Sequence, residues 1–141
     1  FGLCLRTGRL FKEEIEAEYA LAARLGFRYL RSGDNALAGR FGMKAGFMKP
    51  MPKHDYDAGN TQDVDIVEGW LNEIAAQGSP VFEFGNEIGH FSDEAERNVL
   101  YNRYGGWLDA IRAAREKRGM AFRIAYGTSS RRPELMRLIE D

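Results

Sequence analysis

The segment Phe82-Glu83-Phe84-Gly85-Asn86-Glu87 sets an amide and a carboxylate side by side, directly after a run in which aromatic residues alternate. That alternation reads as a β-strand. Asn86 and Glu87 then fall at its C-terminal end, where parallel α/β folds bind their ligands. A carboxyl group there can protonate a leaving glycosidic oxygen. The amide beside it can hydrogen-bond a sugar hydroxyl next to the reacting carbon. Gly85 gives the backbone room to turn. Glu83, between two aromatic residues, faces away from them and reads as a buried partner of an Arg or Lys.

Other reactive residues are few. Arg31 ends a strand-like run and can pair with Glu83 or Asp34. His90 lies on the loop after Glu87 and is a candidate to line the same cleft. His90 and His54 are the only histidines, too few and too far apart to suggest a metal site, so no metal and no cofactor is expected. Cys4, the one cysteine, has no partner for a disulfide or a CxxC site and reads as a small buried hydrophobe. Ser129 and Ser130 lack a triad-like pattern. Gly33, Gly39 and Gly42 do not form a nucleotide-binding GxGxxG. Trp70 and Trp107 fall within helix-like runs and read as core rather than as sugar platforms.

The elements that must position these residues alternate. Gly2–Arg6, Phe27–Arg31, Ala45–Met48, Val81–Phe84 and Ala121–Tyr126 read as strands. Lys12–Leu25 reads as a helix through Ile15, Tyr19 and Ala22. Asn60–Gln77 reads as another, through Val64, Val67, Leu71 and Ile74. A long helix capped by Ser92 or Asp93 runs to about Arg118 and buries Leu100, Tyr104, Trp107, Leu108 and Ile111. Gly26, Gly78 and Gly119 sit where helix ends belong, and Pro133 suits the first turn of a closing helix. This alternation predicts βαβ units and a parallel sheet. The stretch Asn35–Met43 is short for a crossover helix with its loops.

Composition excludes several classes. The 141 residues carry 20 Lys plus Arg against 21 Asp plus Glu, a balance that gives no reason to expect nucleic acid or an anionic membrane as partner. Apolar residues at 44% and charged residues at 29% fit a globular domain. No apolar run approaches the roughly 20 residues of a membrane span, no signal-peptide pattern is visible, and nothing decides a compartment. A start at Phe1 and a stop at Asp141 inside a helix-like run read as cut ends.

The pattern Phe-Glu-Phe-Gly-Asn-Glu (82–87) resembles the fourth-strand motif of glycoside hydrolase clan A, closest to its β-glucuronidase and heparanase-like and its arabinofuranosidase-like families. Leu25-Gly26-Phe27-Arg28-Tyr29-Leu30-Arg31-Ser32-Gly33 resembles the clan's second-strand signature. The resemblance implies a partial (β/α)8 TIM barrel of about five parallel strands with outer helices, 1–141 forming one domain at the N-terminal side of the barrel. It implies a retaining mechanism with Glu87 as acid/base, with Asn86, Arg31, His90 and Tyr126 as substrate contacts. The nucleophile is a Glu on the clan's seventh strand, outside this chain. Ile88-Gly89-His90 departs from the Pro that often follows the clan's Glu. The partners expected are a carbohydrate and either the missing C-terminal half of the barrel or a second copy covering the open sheet edge. Two other readings stand beside this one: a degenerate, non-catalytic carbohydrate-binding barrel, and a small flavodoxin-like α/β domain. The spacing further predicts that Arg31, Asn86 and Glu87 converge at the C-terminal edge of the sheet.

Overall fold

The computed structural model describes residues 2–3, 12–31, 33–86 and 94–127. The chain runs through β1 (Gly2–Leu3), α1 (Lys12–Arg24), β2 (Tyr29–Leu30), α2 (Asn35–Arg40), β3 (Lys44–Ala45), β4 (Phe47–Lys49), α3 (Thr61–Gln77), β5 (Val81–Asn86), α4 (Glu94–Lys117) and β6 (Arg123–Gly127). Every strand pair is parallel. The fold is therefore α/β, as the alternation predicts.

The strands form two sheets rather than one, in the orders β1-β2-β3 and β4-β5-β6. The expected third strand at Ala45–Met48 is divided at Gly46, with β3 pairing backward to β2 and β4 forward to β5. The reason is local crowding. A Cβ at Gly46 would collide with the carbonyl oxygen of Arg31 and touch that of Val81 at 3.5 Å, so the chain passes between two neighbouring backbones where only glycine fits. The Gly46 amide still donates to the Leu30 carbonyl at 3.0 Å, which ties the two sheets at this point. Sequential order within each sheet differs from the 2-1-3 start of a flavodoxin-like sheet.

The short crossover is accommodated by a helix of six residues, α2. Asp34 caps it by accepting from the Leu37 amide at 3.0 Å. The helix α3 starts at Asn60, whose side chain accepts from the Gln62 amide at 3.0 Å, and ends at Gly78 in the left-handed region. Its buried face is Asp63, Val67, Trp70, Leu71 and Ile74. The first buried turn thus carries Asp63 where Val64 is expected from the apolar pattern. The cap of α4 and the helix after Pro133 lie outside the described residues, as do Cys4, Ser129 and Ser130.

The helix-facing sides of the strands make two cores. One joins Phe47, Phe82, Phe84 and Phe122 to Trp70, Leu71 and Ile74 of α3 and to Tyr104, Trp107, Leu108 and Ile111 of α4. The other joins Leu30 and Ala45 to Tyr19 and Ala22 of α1, Ala38 of α2 and Met43. Trp70 and Trp107 meet at 5.7 Å between ring centroids, so both are core residues, as expected. The alternate strand residues Tyr29, Met48, Val81, Glu83 and Ala125 belong to neither cluster. They lie on the other face, where Tyr29 and Met48 are exposed.

Candidate functional site

Strand β5 is the middle strand of its sheet. Its aromatic residues face the helices: Phe82 and Phe84 are fully buried against α3 and α4. Glu83 takes the other face and is 95% buried by virtue of a relative exposure of only 5%. A buried carboxylate needs a partner, and Arg31 supplies it from the end of β2. The Arg31 Nε donates to Glu83 Oε2 at 2.7 Å, and the second fork nitrogen donates to Oε1. Gly46 lines the same cavity as this bidentate pair. Of the two partners open to Arg31 in the sequence, Glu83 is the one it takes. Asp34 is engaged in capping α2.

Beyond Glu83 the strand changes geometry. Phe84 pairs with Tyr126 and Asn86 with Gly127, so Gly85 is an extra residue, a bulge. Its φ is 69°, in the region that a side chain disfavours. A bulge interrupts the ladder. The Phe84 carbonyl accepts instead from the Tyr104 hydroxyl at 3.2 Å, and the two rings stack at 5.1 Å and 15°. The turning role expected of Gly85 is therefore seen, and Asn86 closes β5 after it.

Arg31 is placed beside the middle of β5, at Glu83, rather than at the strand's end. Asn86 and Tyr126 lie on β5 and β6. Glu87 and His90 lie outside the described residues. Among the expected site residues the structure thus gives side-chain contacts for Arg31.

A second polar cluster was not foreseen. Asp63, buried at the start of α3, accepts from the Asp57 amide at 3.0 Å and lies 2.8 Å from His54 Nε2. The His54 hydrogen bond holds its carboxyl below the usual carboxylate range. Burial opposes this, and the Asp57 amide adds to it. The carbonyl of His54 accepts from Trp107 Nε1 at 2.8 Å, and Tyr56 packs edge-on against Trp107. The cluster pins the loop between β4 and α3 to the helix layer. A capping pattern, Asn60 followed three residues later by Asp63, was the available sequence signal. Asp63 turns its carboxylate to His54 and Asp57 instead, which no local pattern predicts.

On the face away from the helices, a cavity of about 370 Å³ is lined by Tyr29, Arg31, Gly46, Val81, Glu83 and Ala125, among others. Among the described residues no group of three or more His, Cys, Asp or Glu could hold a metal ion, and no helix is long and apolar enough to cross a membrane. Chemically, the arrangement offers donors and acceptors side by side in an apolar setting, beside a strand that leads into Asn86 and Glu87. Comparison with family models, with curated proteins and with solved structures finds no match for this chain.

Proposed function

We propose that this chain carries the acid/base side of a retaining glycoside hydrolase built on a (β/α)8 barrel of the clan A kind. Glu87 is the general acid/base, Asn86 the contact to the hydroxyl beside the reacting carbon, and Arg31, His90 and Tyr126 further substrate contacts. The nucleophilic Glu comes from a strand outside this chain. The observation that carries the reading is the end of β5: the middle strand of a parallel sheet, turned by the Gly85 bulge, running directly into Asn86 and Glu87. Ligands of parallel α/β folds bind at such strand ends, and bulges recur beside active sites.

The roles follow from the chemistry. Protonating the departing oxygen avoids expelling an alkoxide, and general acid catalysis of this kind contributes roughly 10²–10⁴-fold. The same carboxylate then activates water against the glycosyl-enzyme. The test uses the product of the complete parent gene with aryl glycosides of graded leaving group. Glu87→Gln should lose about 100-fold or more in kcat/KM on substrates with poor leaving groups. It should lose far less on a dinitrophenyl glycoside, which departs without a proton. Equal rates for wild type and variant across the series would remove Glu87 from the role. The chain of 141 residues alone should show no turnover, because cleavage needs a second carboxylate across the ring.

A further inference from the structure

Gly85 lets the backbone take a φ of 69° at the end of β5, but glycine does not hold it there, because a residue without Cβ populates several regions about equally well. A bulge also removes a rung of the ladder that would fix its neighbours. The Phe84–Gly85 peptide, through which the chain is aimed toward Asn86 and Glu87, therefore needs a restraint from outside the strand. Tyr104 of α4 is placed to give it. Its hydroxyl donates to the Phe84 carbonyl at 3.2 Å, and that oxygen belongs to the peptide in question. The Tyr104 ring stacks on Phe84 at 5.1 Å and 15° and is 1% exposed. A phenylalanine would stack and fill the same space, so core packing explains the ring and leaves the hydroxyl to be explained. The donor is itself held. Its neighbour Arg103 donates through Nε to Asp55 at 3.0 Å, and Trp107, one turn further along α4, donates through Nε1 to the His54 carbonyl at 2.8 Å. The turn that carries Tyr104 is thus tied to the loop between β4 and α3.

We propose that Tyr104 is a positioning residue for the acid/base: by holding the Phe84 carbonyl, its hydroxyl fixes the direction in which the chain leaves the Gly85 bulge toward Glu87. Glu87 follows Phe84 by three residues, so a rotation of the held peptide is carried along to it. This deepens the glycosidase reading and rests on it for the role of Glu87. The holding of the strand end stands on the hydrogen bond and the bulge. Tyr104, buried in the core, acts through the backbone and not on the substrate. Its contribution is precision, and a misplacement of about 1 Å at a reacting group costs up to about 100-fold.

The experiment compares wild type with Tyr104→Phe, which removes one oxygen and keeps the ring stack, in two measurements. In the chain of 141 residues, NMR relaxation reads the backbone order of Gly85 and Asn86, with the amides of α4 checking that the variant is folded. The order parameters at Gly85 and Asn86 should fall from about 0.85 toward about 0.6, while those of α4 stay as in wild type. In the product of the complete parent gene, kcat/KM is measured across the aryl glycosides of graded leaving group. Tyr104→Phe should lose about tenfold where the leaving group is poor and about twofold or less on the dinitrophenyl glycoside, because only the former draws on a well-placed proton. A merely structural role would remove the same fraction of activity on every substrate. The proposal is overturned if the order at Gly85 and Asn86 is unchanged, or if the loss is equal, zero included, across the leaving groups. A flat series for Glu87→Gln would remove Glu87 as the acid and leave the order measurement to decide whether Tyr104 holds the strand end.

Discussion

The two halves of the chain are built to the same βα plan but held together differently. From β4 to β6, seven aromatic side chains, Phe47, Trp70, Phe82, Phe84, Tyr104, Trp107 and Phe122, are joined in one core. From β1 to β3, the fully buried core among the described residues contains one aromatic residue, Tyr19, with Ala22, Leu30, Ala38, Met43 and Ala45, and Phe27 and Phe41 pack against it partly buried. Aromatic side chains bury about 150–250 Å² each, so the second half carries most of the hydrophobic stabilisation. The first half relies on side chains that hydrogen-bond the backbone. Asn35 Nδ2 donates to the Ala45 carbonyl at 2.7 Å and to Ser79 Oγ at 2.8 Å, while Asn35 Oδ1 accepts from the Ala45 amide at 2.8 Å. The Tyr19 hydroxyl accepts from the Asp34 amide at 3.0 Å. Polar hooks fix geometry at small net stability; apolar contact supplies the stability. Gly46 and the Arg31–Glu83 pair link one half to the other.

The largest expected effect tests the claim that stability lies in the second half. Trp107→Ala should cost about 3–5 kcal/mol, measured by chemical denaturation, because the indole is fully buried and its Nε1 also holds the loop at His54. Loss of signal from α1 in the same transition would show that the first half depends on the second. If α1 instead unfolded separately with an unchanged midpoint, the halves would be independent.

The link between the halves should be asymmetric. Arg31→Ala leaves the Glu83 carboxylate buried without its cation and should cost about 3 kcal/mol. Glu83→Ala should cost clearly less, because the Arg31 side chain is already 44% exposed and can turn its charge to water. Equal losses in the two variants would mean that the pair is not the main tie across Gly46.

At the end of β5, Gly85→Ala should cost about 1–2 kcal/mol, the penalty for a Cβ in the left-handed region, since φ there is 69°. A neutral result by thermal melting would show that the bulge relaxes easily and does not define the strand end.

The smallest effect concerns the loop between β4 and α3, and it depends on pH. Asp63 has its folded pKa lowered, with the His54 hydrogen bond as the leading cause. A carboxyl shifted in this direction contributes stability that is present above the unfolded value, about 3.9, and is lost as pH falls through the folded value. His54→Ala should raise the folded pKa toward the unfolded one, lower Tm in the neutral region and flatten the acid limb, so that variant and wild type converge at low pH. Superimposable acid limbs for variant and wild type would assign the shift to the Asp57 amide instead.

The local pattern of the chain already determined much of this. The helices α1, α3 and α4 follow from apolar spacing, the ends of α3 from Asn60 and Gly78, and the burial of Trp70 and Trp107 from their place within helices. Helix and strand periods are short-range properties, and each is visible within a window of a dozen residues. The site was legible in part. Glu83 could be read as a buried ion-pair partner from its place between Phe82 and Phe84, and Gly85 as a turning point, yet the choice of Glu83 over Asp34 by Arg31 could not. That contact spans 52 positions and joins the end of β2 to the middle of β5. The division of the third strand at Gly46, the helix α2 within a short crossover and the burial of Asp63 against His54 have the same origin. Each is decided by which backbones and side chains arrive from distant parts of the chain, and steric fit between such parts leaves no periodic trace in the sequence.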